Sequence, residues 1–249
     1  MRVIVYGVDG TMGQWVVKSV TDSQRDEFVA GIAPRKELLA PGEFKSLKDF
    51  TGQADLVIDF SHPSNLPDLL AFGIGTNTPL LICTTGFSDD EIDQIKEAAA
   101  SCSILWSTNT SYGVNLLRFL LEDVAEKLLD YDVEIVEKHH NKKKDAPSGT
   151  AKTLAGAVST GRGAYKYGRG LEDGVRESGE IGIHAIRGGS IVGEHDVIFA
   201  GAGEVLTFSH QALSKEVFSS GALKTGRWLV GKPAGFYEMK DVFMKEEKA

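Results

Sequence analysis

Val3-Ile4-Val5-Tyr6-Gly7-Val8-Asp9-Gly10-Thr11-Met12-Gly13 is the stretch that decides the fold of this 249-residue chain. Four apolar residues in a row read as a strand buried on both faces. Glycines at every third position follow at once, and an amphipathic segment, Met12–Val20, comes next. The order is strand, Gly-x-x-Gly-x-x-Gly turn, helix. Glycines there permit a tight turn and let a pyrophosphate approach the helix N-terminus, where free amides and the dipole attract anions. A glycine triplet alone is a weak signal, and its strand-to-helix context is what makes it a dinucleotide fingerprint. Gly7, Val8, Asp9, Gly10, Thr11, Met12 and Gly13 are therefore expected to hold a dinucleotide.

Working outward, further strands are expected at Phe28–Ile32, Leu56–Phe60, Leu80–Thr84 and Ile104–Trp106. Helical segments separate them, including Glu91–Ala100, which opens on a capping-box spacing from Ser88 to Glu91. Apolar strands alternating with helices imply an α/β, Rossmann-type parallel sheet covered on both faces. In such sheets ligands bind at the C-terminal strand ends, so the turns carrying Phe60, Ser61, Cys83, Thr84 and Thr85 should flank the nicotinamide and its ribose. His62 reads more simply as a helix-cap neighbour. The second strand ends Ala33-Pro34-Arg35-Lys36 without the carboxylate that would hold the ribose of NAD. Arg35 could instead meet a 2′-phosphate, while a solvated turn is the plain alternative and Glu37 keeps NAD open.

The pattern changes after Asn109. A helix is expected over Asn115–Leu129, with Leu116, Phe119, Leu120, Val124 and Leu128 on one stripe. An extended run, Asp132–Glu137, and a helix from Thr150 to Ser159 follow. Gly161–Gly174 reads as a long loop, and strands are expected at Ile181–Arg187, Asp196–Phe199 and Glu204–Ser209. A last helix, Phe218–Val230, precedes the tail. This part is expected to be an α+β domain on an open, mixed or antiparallel sheet.

Composition narrows the function. Lys+Arg total 27 against Asp+Glu 35, giving a net charge of −8, a poor balance for non-specific nucleic-acid binding. No apolar run approaches the ~18 residues of a membrane span. Two cysteines, Cys83 and Cys102, form no disulfide framework and point to a reducing compartment. The immediate first strand leaves no room for a targeting peptide, so a cytoplasmic location is expected. Of 28 glycines, 14 lie between Gly149 and Gly203.

One segment opposes the overall charge. Lys138-His139-His140-Asn141-Lys142-Lys143-Lys144 runs into Asp145-Ala146-Pro147-Ser148-Gly149-Thr150. Three adjacent lysines are by default a solvated run. Here, though, a histidine pair accompanies them, and Ser148 or Thr150 can cap the helix that follows. Lysines beside a helix N-terminus make a receptor for a small anion, such as a pair of carboxylates. Metal binding fits poorly, because adjacent histidines on an extended segment point apart and the lysines repel cations. A histidine can supply the proton a reductase needs after hydride addition. The lysines should favour its neutral form and a bound dianion its protonated form.

Glu137-Lys138-His139-His140-Asn141-Lys142-Lys143-Lys144-Asp145-Ala146-Pro147-Ser148-Gly149-Thr150-Ala151 resembles the signature of the dihydrodipicolinate reductase family. The resemblance extends over essentially the whole chain, through Asp59-Phe60-Ser61, Thr84-Thr85-Gly86, Gly113-Val114-Asn115, Arg187-Gly188-Gly189, Gly193-Glu194-His195, Ser209-His210 and Gly221-Ala222-Leu223. It implies hydride transfer from NAD(P)H to a small cyclic dicarboxylate, 4-hydroxy-tetrahydrodipicolinate or dihydrodipicolinate. The product would be tetrahydrodipicolinate, on the route to diaminopimelate and lysine. It places His139 as proton donor, Lys143 as second donor, and His140, Ser148, Gly149, Thr150 and Lys215 at the substrate. Ser107, Thr108, Asn109 and Thr110 complete the cofactor set. The implied assembly is a homotetramer joined through the C-terminal sheets, with residues 1–110 and 216–249 binding the dinucleotide and 111–215 the substrate. Thr11 stands where a cation often touches a 2′-phosphate, and the acidic tip residue is also missing. These departures pull in opposite directions and leave a mild lean to NADPH over NADH. Cys83 replaces a usual glycine, Thr110 a frequent phenylalanine and Lys215 a frequent arginine. Two rival readings are another NAD(P)-dependent amino- or imino-acid dehydrogenase and a non-catalytic NAD(P)H-sensing protein.

Overall fold

The computed structural model describes residues 1–243, which divide into two units. Met1–Ser111 and the chain from Lys215 onward form one, and Tyr112–Ser214 the other. The first unit runs β1 (Arg2–Tyr6), α1 (Thr11–Thr21), β2 (Glu27–Ile32), β3 (Glu43–Phe44), β4 (Leu56–Asp59), α2 (Leu66–Thr76), β5 (Leu80–Ile82), α3 (Asp89–Ala98) and β6 (Ser103–Trp106). The second runs α4 (Tyr112–Lys127), β7 (Asp132–His139), α5 (Gly149–Ala157), β8 (Tyr165–Tyr167), β9 (Ile181–Arg187), β10 (Gly193–Ala200) and β11 (Val205–Ala212). The chain then returns to the first unit with α6 (Glu216–Leu229), β12 (Gly235–Tyr237) and α7 (Met239–Phe243).

The first sheet has seven strands in the order β12-β6-β5-β4-β1-β2-β3, parallel throughout. Its strands are apolar on both faces because helices cover both. Ile4, Val57, Leu80, Ile82 and Ile104 pack with Leu66, Leu69 and Ile95 of α2 and α3. Val3, Val5 and Ile58, of opposite parity, are equally buried. Each such side chain contributes about 1.5–3 kcal/mol by leaving water. The chain adds β2 and β3 on one side of β1 and then crosses to β4 on the other. The switch between β1 and β4 opens the crevice in which doubly wound folds take ligands. Ser88 and Glu91 close the expected capping box, with both reciprocal bonds made.

The second sheet is mixed, in the order β11-β10-β7-β9-β8. β10 lies antiparallel to β7 and β11, while β9 is parallel to β7 and β8. Burial alternates along β7 and β10, so one face is inward. Leu117, Leu121, Ala125, Leu154 and Val158 from the helices cover that face. Inward residues change character along the strands. Val133, Ile135, Val197 and Phe199 form core at one end, while Glu137, His139 and His195 are buried at the other.

Three sequence expectations need correction. On α4 the core-facing apolar residues are Leu117, Leu121 and Ala125, with Val124 and Leu128 of the expected stripe packed against the same core; Leu116 and Leu120 are about half exposed. The five expected positions spread too widely to form one face, and periodicity alone did not fix its phase. The long loop from Gly161 contains β8, which is too short to show alternation and is recruited by parallel pairing with β9. Strand ends near the first site also retreat: β4 stops at Asp59 and β5 at Ile82, leaving Phe60, Cys83 and Thr84 in the connecting turns. Residues 244–249 of the expected tail lie outside the described residues.

Candidate active site

In the first unit the site is built mostly of backbone. Gly7 has φ +81°, and a Cβ there would lie 2.5 Å from the Phe60 carbonyl oxygen. A Cβ on Gly13 would lie 2.0 Å from the carbonyl oxygen of Gly7. These two glycines let the turn fold onto the start of α1. Gly10 is the N-cap, and no side chain caps this helix, so its first amides face an anion unblocked. Asp9, Gly10 and Thr11 are exposed, Met12 half-buried and Val8 buried. A glycine cradle at an uncapped helix end fits a dinucleotide pyrophosphate.

The neighbouring turns are fixed by side chains bonding back to the chain. The Ser61 amide donates to Asp59 Oδ1 at 3.0 Å and to Thr84 Oγ1 at 2.9 Å. Burial pushes the Asp59 carboxyl up to about 6, against the bonds from Ser61 and Thr84. Thr85 is exposed. Ser107 Oγ bonds the Asn109 carbonyl, and Asn109 Oδ1 accepts from the Ser111 amide, which shapes the turn around exposed Thr108. Two expected contacts turn inward. Cys83 is buried, and burial raises its thiol pKa. Thr110 is buried with its hydroxyl donating to the Phe218 carbonyl at 2.7 Å. At the end of β2, Arg35 is exposed, whereas Lys36 is held by Glu43 at 2.6 Å. His62 accepts from the Ser64 amide and caps a short helical turn, as its simpler reading expects.

The second unit gathers side chains. His139 and Glu137 share the inward face of β7, and the register sets Arg187 of β9 beside His139 and His195 of β10 beside Glu137. His139 Nδ1 lies 2.6 Å from Glu137 Oε2. Arg187 grips the same carboxylate with two bonds of 2.8 and 2.7 Å. The Ser148 amide donates to Glu137 Oε1 at 3.0 Å. Burial works to raise the Glu137 pKa, but the bonds from Arg187, His139 and Ser148 outweigh it and hold the carboxyl below its usual value. For His139 burial is the largest influence and lowers its pKa; Glu137 opposes this, and Lys143 and Arg187 add to the lowering. Of the lysine run only Lys143 is among these causes, and it weighs less than burial.

Ser148, not Thr150, caps α5, accepting from the Ala151 amide at 3.1 Å. Its hydroxyl also meets His195 Nε2 at 3.0 Å. A Cβ on Gly149 would meet nothing within 4 Å, so the helix end is open to a ligand. The lysine run divides in two. Lys142 and Lys144 are exposed, while half-buried Lys143 pairs with Asp145 at 2.9 Å. Lys138, of opposite parity to His139, pairs with Glu194 and Asp196. His140 is half-buried. Lys215, expected at the substrate, is exposed at the N-cap of α6 in the first unit. Sequence reasoning gave no role to Glu137, Arg187, His195 or Gly193. A glutamate in the inward phase of β7 was a usable signal, since a carboxylate on an apolar face needs a cation. A Cβ on Gly193 would sit 3.0 Å from His139 Nε2.

A dinucleotide cradle on a parallel sheet, with a buried histidine beside an anion-receptive helix end on a separate mixed sheet, defines a two-unit nicotinamide-dependent dehydrogenase. Known proteins narrow that class. The N-terminal model of the dihydrodipicolinate reductase family matches residues 1–110 and its C-terminal model residues 113–243. A 4-hydroxy-tetrahydrodipicolinate reductase of Caldanaerobacter subterraneus subsp. tengcongensis is 44% identical over 248 residues, covering 98% of this chain and 99% of that one. The enzyme of that name from Clostridium novyi is 44% identical over 247 residues, with 97% of each chain covered. The dipicolinate-bound dihydrodipicolinate reductase of Paenisporosarcina sp. TG-14 superposes with a TM-score of 0.82 at 25% identity, covering 98% of this chain and 99% of that one. The chain belongs to the dihydrodipicolinate reductase family and is an NAD(P)H-dependent oxidoreductase. Among the described residues, no helix is long and apolar enough to cross a membrane.

Proposed function

We propose that this chain reduces the cyclic dicarboxylate 4-hydroxy-tetrahydrodipicolinate, or dihydrodipicolinate formed from it by loss of water, to tetrahydrodipicolinate on the route to diaminopimelate and lysine. One observation carries the reading: a buried, carboxylate-bonded histidine beside the open N-terminus of α5, with Lys143 four residues along the chain. When bound, the nicotinamide supplies a hydride to one carbon of the conjugated ring. His139 donates the proton that neutralises the electron-rich position left behind. Lys143 is the second cation, and His140, Ser148, Gly149 and Thr150 receive the carboxylates through side chains and helix amides. Binding a dianion favours the protonated imidazole, so substrate offsets the lowering that burial imposes on His139.

In this reading Met1–Ser111 and the chain from Lys215 bind the cofactor, and Tyr112–Ser214 binds the substrate. NADPH is preferred to NADH, because Arg35 is the exposed cation at the tip of β2 while Glu43 holds Lys36. Exposed Ile186 and Val205 on the second sheet support association into a homotetramer, and the enzyme works in the cytoplasm. The test couples the reaction to condensation of pyruvate with aspartate semialdehyde and follows NADPH or NADH oxidation. Turnover with a kcat/KM several-fold higher for NADPH is expected, and no turnover with either cofactor overturns the assignment. An Arg35→Ser variant should lose most of the difference between the cofactors.

A further inference from the structure

The Glu137 carboxylate is buried to 0% exposure and saturated. Each oxygen takes one guanidinium bond from Arg187 and one further donor: Oε2 faces His139 Nδ1, and Oε1 accepts the Ser148 amide. Arg187 also donates to the Asp145 carbonyl at 2.7 Å. One ion pair thus ties together β7, β9, the segment bearing Lys143 and the first turn of α5. A carboxylate so clamped cannot swing away from the imidazole. A ring nitrogen 2.6 Å from a carboxylate oxygen must carry hydrogen. The neutral ring then has its lone pair at Nε2, and the protonated ring offers its transferable proton there. Nε2 is also the atom that a Cβ on Gly193 would crowd.

We infer that Glu137, clamped by Arg187, is the positioning residue of this enzyme: it fixes His139 as the Nδ1–H tautomer, directs proton donation through Nε2, and holds the N-terminus of α5 in register with that acid. Neither residue needs to touch substrate. The inference rests on the reading of His139 as the proton donor. Its tests, however, do not all require turnover.

The charged and titratable groups around His139 are Glu137, Arg187, Lys143 and His195. Glu137 raises the imidazole pKa, while Arg187 and Lys143 lower it. His195 is itself held neutral by burial, its pKa near 4. Since the acid must be protonated, kcat falls as pH rises through its pKa. Glu137→Gln should move that limb to lower pH by roughly one unit and reduce kcat about tenfold or more, with a smaller change in KM. Arg187→Met leaves the carboxylate charge uncompensated and should move the limb to higher pH. Opposite displacements are the signature, because a merely structural role moves neither limb or moves both the same way.

Imidazole nitrogen NMR of the wild-type protein, with no substrate added, reads the tautomer directly. Hydrogen at Nδ1 in the neutral ring is expected, and hydrogen at Nε2 overturns the inference whether or not the enzyme turns over. If Glu137→Gln fails to fold, the wild-type tautomer and the Arg187→Met limb still decide. Absence of turnover in the wild type would count against the proposed reaction alone and leave the tautomer measurement standing.

Discussion

In the proposed reading the two units receive their ligands by different means. In the first, the chain itself is the receptor: Gly7 and Gly13 allow a turn that side chains would block, and α1 begins uncapped. In the second, side chains do the work. Glu137, His139, Arg187, His195 and Ser148 come from two neighbours on one strand, two other strands and a helix cap. A backbone site tolerates most changes that respect its shape. A side-chain network depends on the identity and protonation of each member. Mutations should therefore separate the two by the kind of damage they do.

The largest effect should come from His139→Gln. Losing a positioned general acid costs about 10²–10⁴-fold in rate, and the loss should appear in kcat with cofactor KM unchanged. Steady-state kinetics at saturating NADPH measure it. Full kcat in this variant would remove His139 as the donor and leave the second unit as a binding site only.

Next in size is the steric contrast. Gly13→Ala puts a methyl 2.0 Å from a carbonyl oxygen that belongs to the turn. The backbone must move, at a cost of roughly 1–3 kcal/mol, and cofactor affinity should fall with stability. Gly149→Ala meets nothing and should fold as well as the parent while raising substrate KM. Thermal denaturation with cofactor and substrate titrations distinguishes them. Equal loss of stability in both would contradict the contrast between a packed cradle and an open one.

The same contrast explains what was legible in the sequence. The glycine turn could be read because its spacing is local and its geometry admits few other residues. The parallel sheet followed from apolar strands alternating with helices. His139, Lys143 and Ser148 were found within one contiguous segment. Arg187 was not given its role, because it lies fifty positions from Glu137 and only the β7–β9 register unites them. Cys83 is expected at the cofactor from its place at a strand end, and Thr110 from the family resemblance. Whether a side chain at such an end turns outward or into the core depends on packing, and both turn inward. On α4 the buried stripe was misassigned for a related reason. Paired leucines, Leu116-Leu117 and Leu120-Leu121, repeat at helical spacing on adjacent positions, so the period alone does not say which of each pair meets the sheet.

Acid should then pull the two units in opposite directions. Burial depresses the His195 pKa from 6.5 to about 4. The unfolded chain takes up that proton first, so stability present above pH 6.5 is lost as pH falls toward 4. His139 and His210, also lowered by burial, act in the same sense. Asp59 does the reverse. Its folded-state pKa of about 6 lies above the ordinary aspartate value of 3.8, so the folded chain takes the proton first and gains stability as pH falls from 6 toward 3.8. From pH 7 to pH 5 each of His195 and Asp59 contributes on the order of 1–2 kcal/mol, with opposite sign. Denaturant titrations should show His195→Gln losing less stability than the parent over that interval and Asp59→Asn losing more. The same sign in both variants would mean that burial does not control these groups.

The smallest effects should fall on the lysine run, where the structure replaces one patch by two kinds of residue. Lys142 and Lys144 are exposed and Lys143 is half-buried against Asp145. An exposed cation acts through water and is screened within about 10 Å at 0.1 M salt. Lys142→Ala and Lys144→Ala should therefore change substrate KM by no more than about twofold at ordinary ionic strength, with that change vanishing in added salt. Lys143→Ala should raise KM and lower kcat at every salt concentration, because its charge is partly shielded from solvent and lies close enough to His139 to influence its titration. Kinetics across a salt series separate steering from contact. If all three variants responded alike and lost their effect in salt, the run would act as a diffuse cationic surface, and the second unit would owe less to individual side chains than its hydrogen bonds imply.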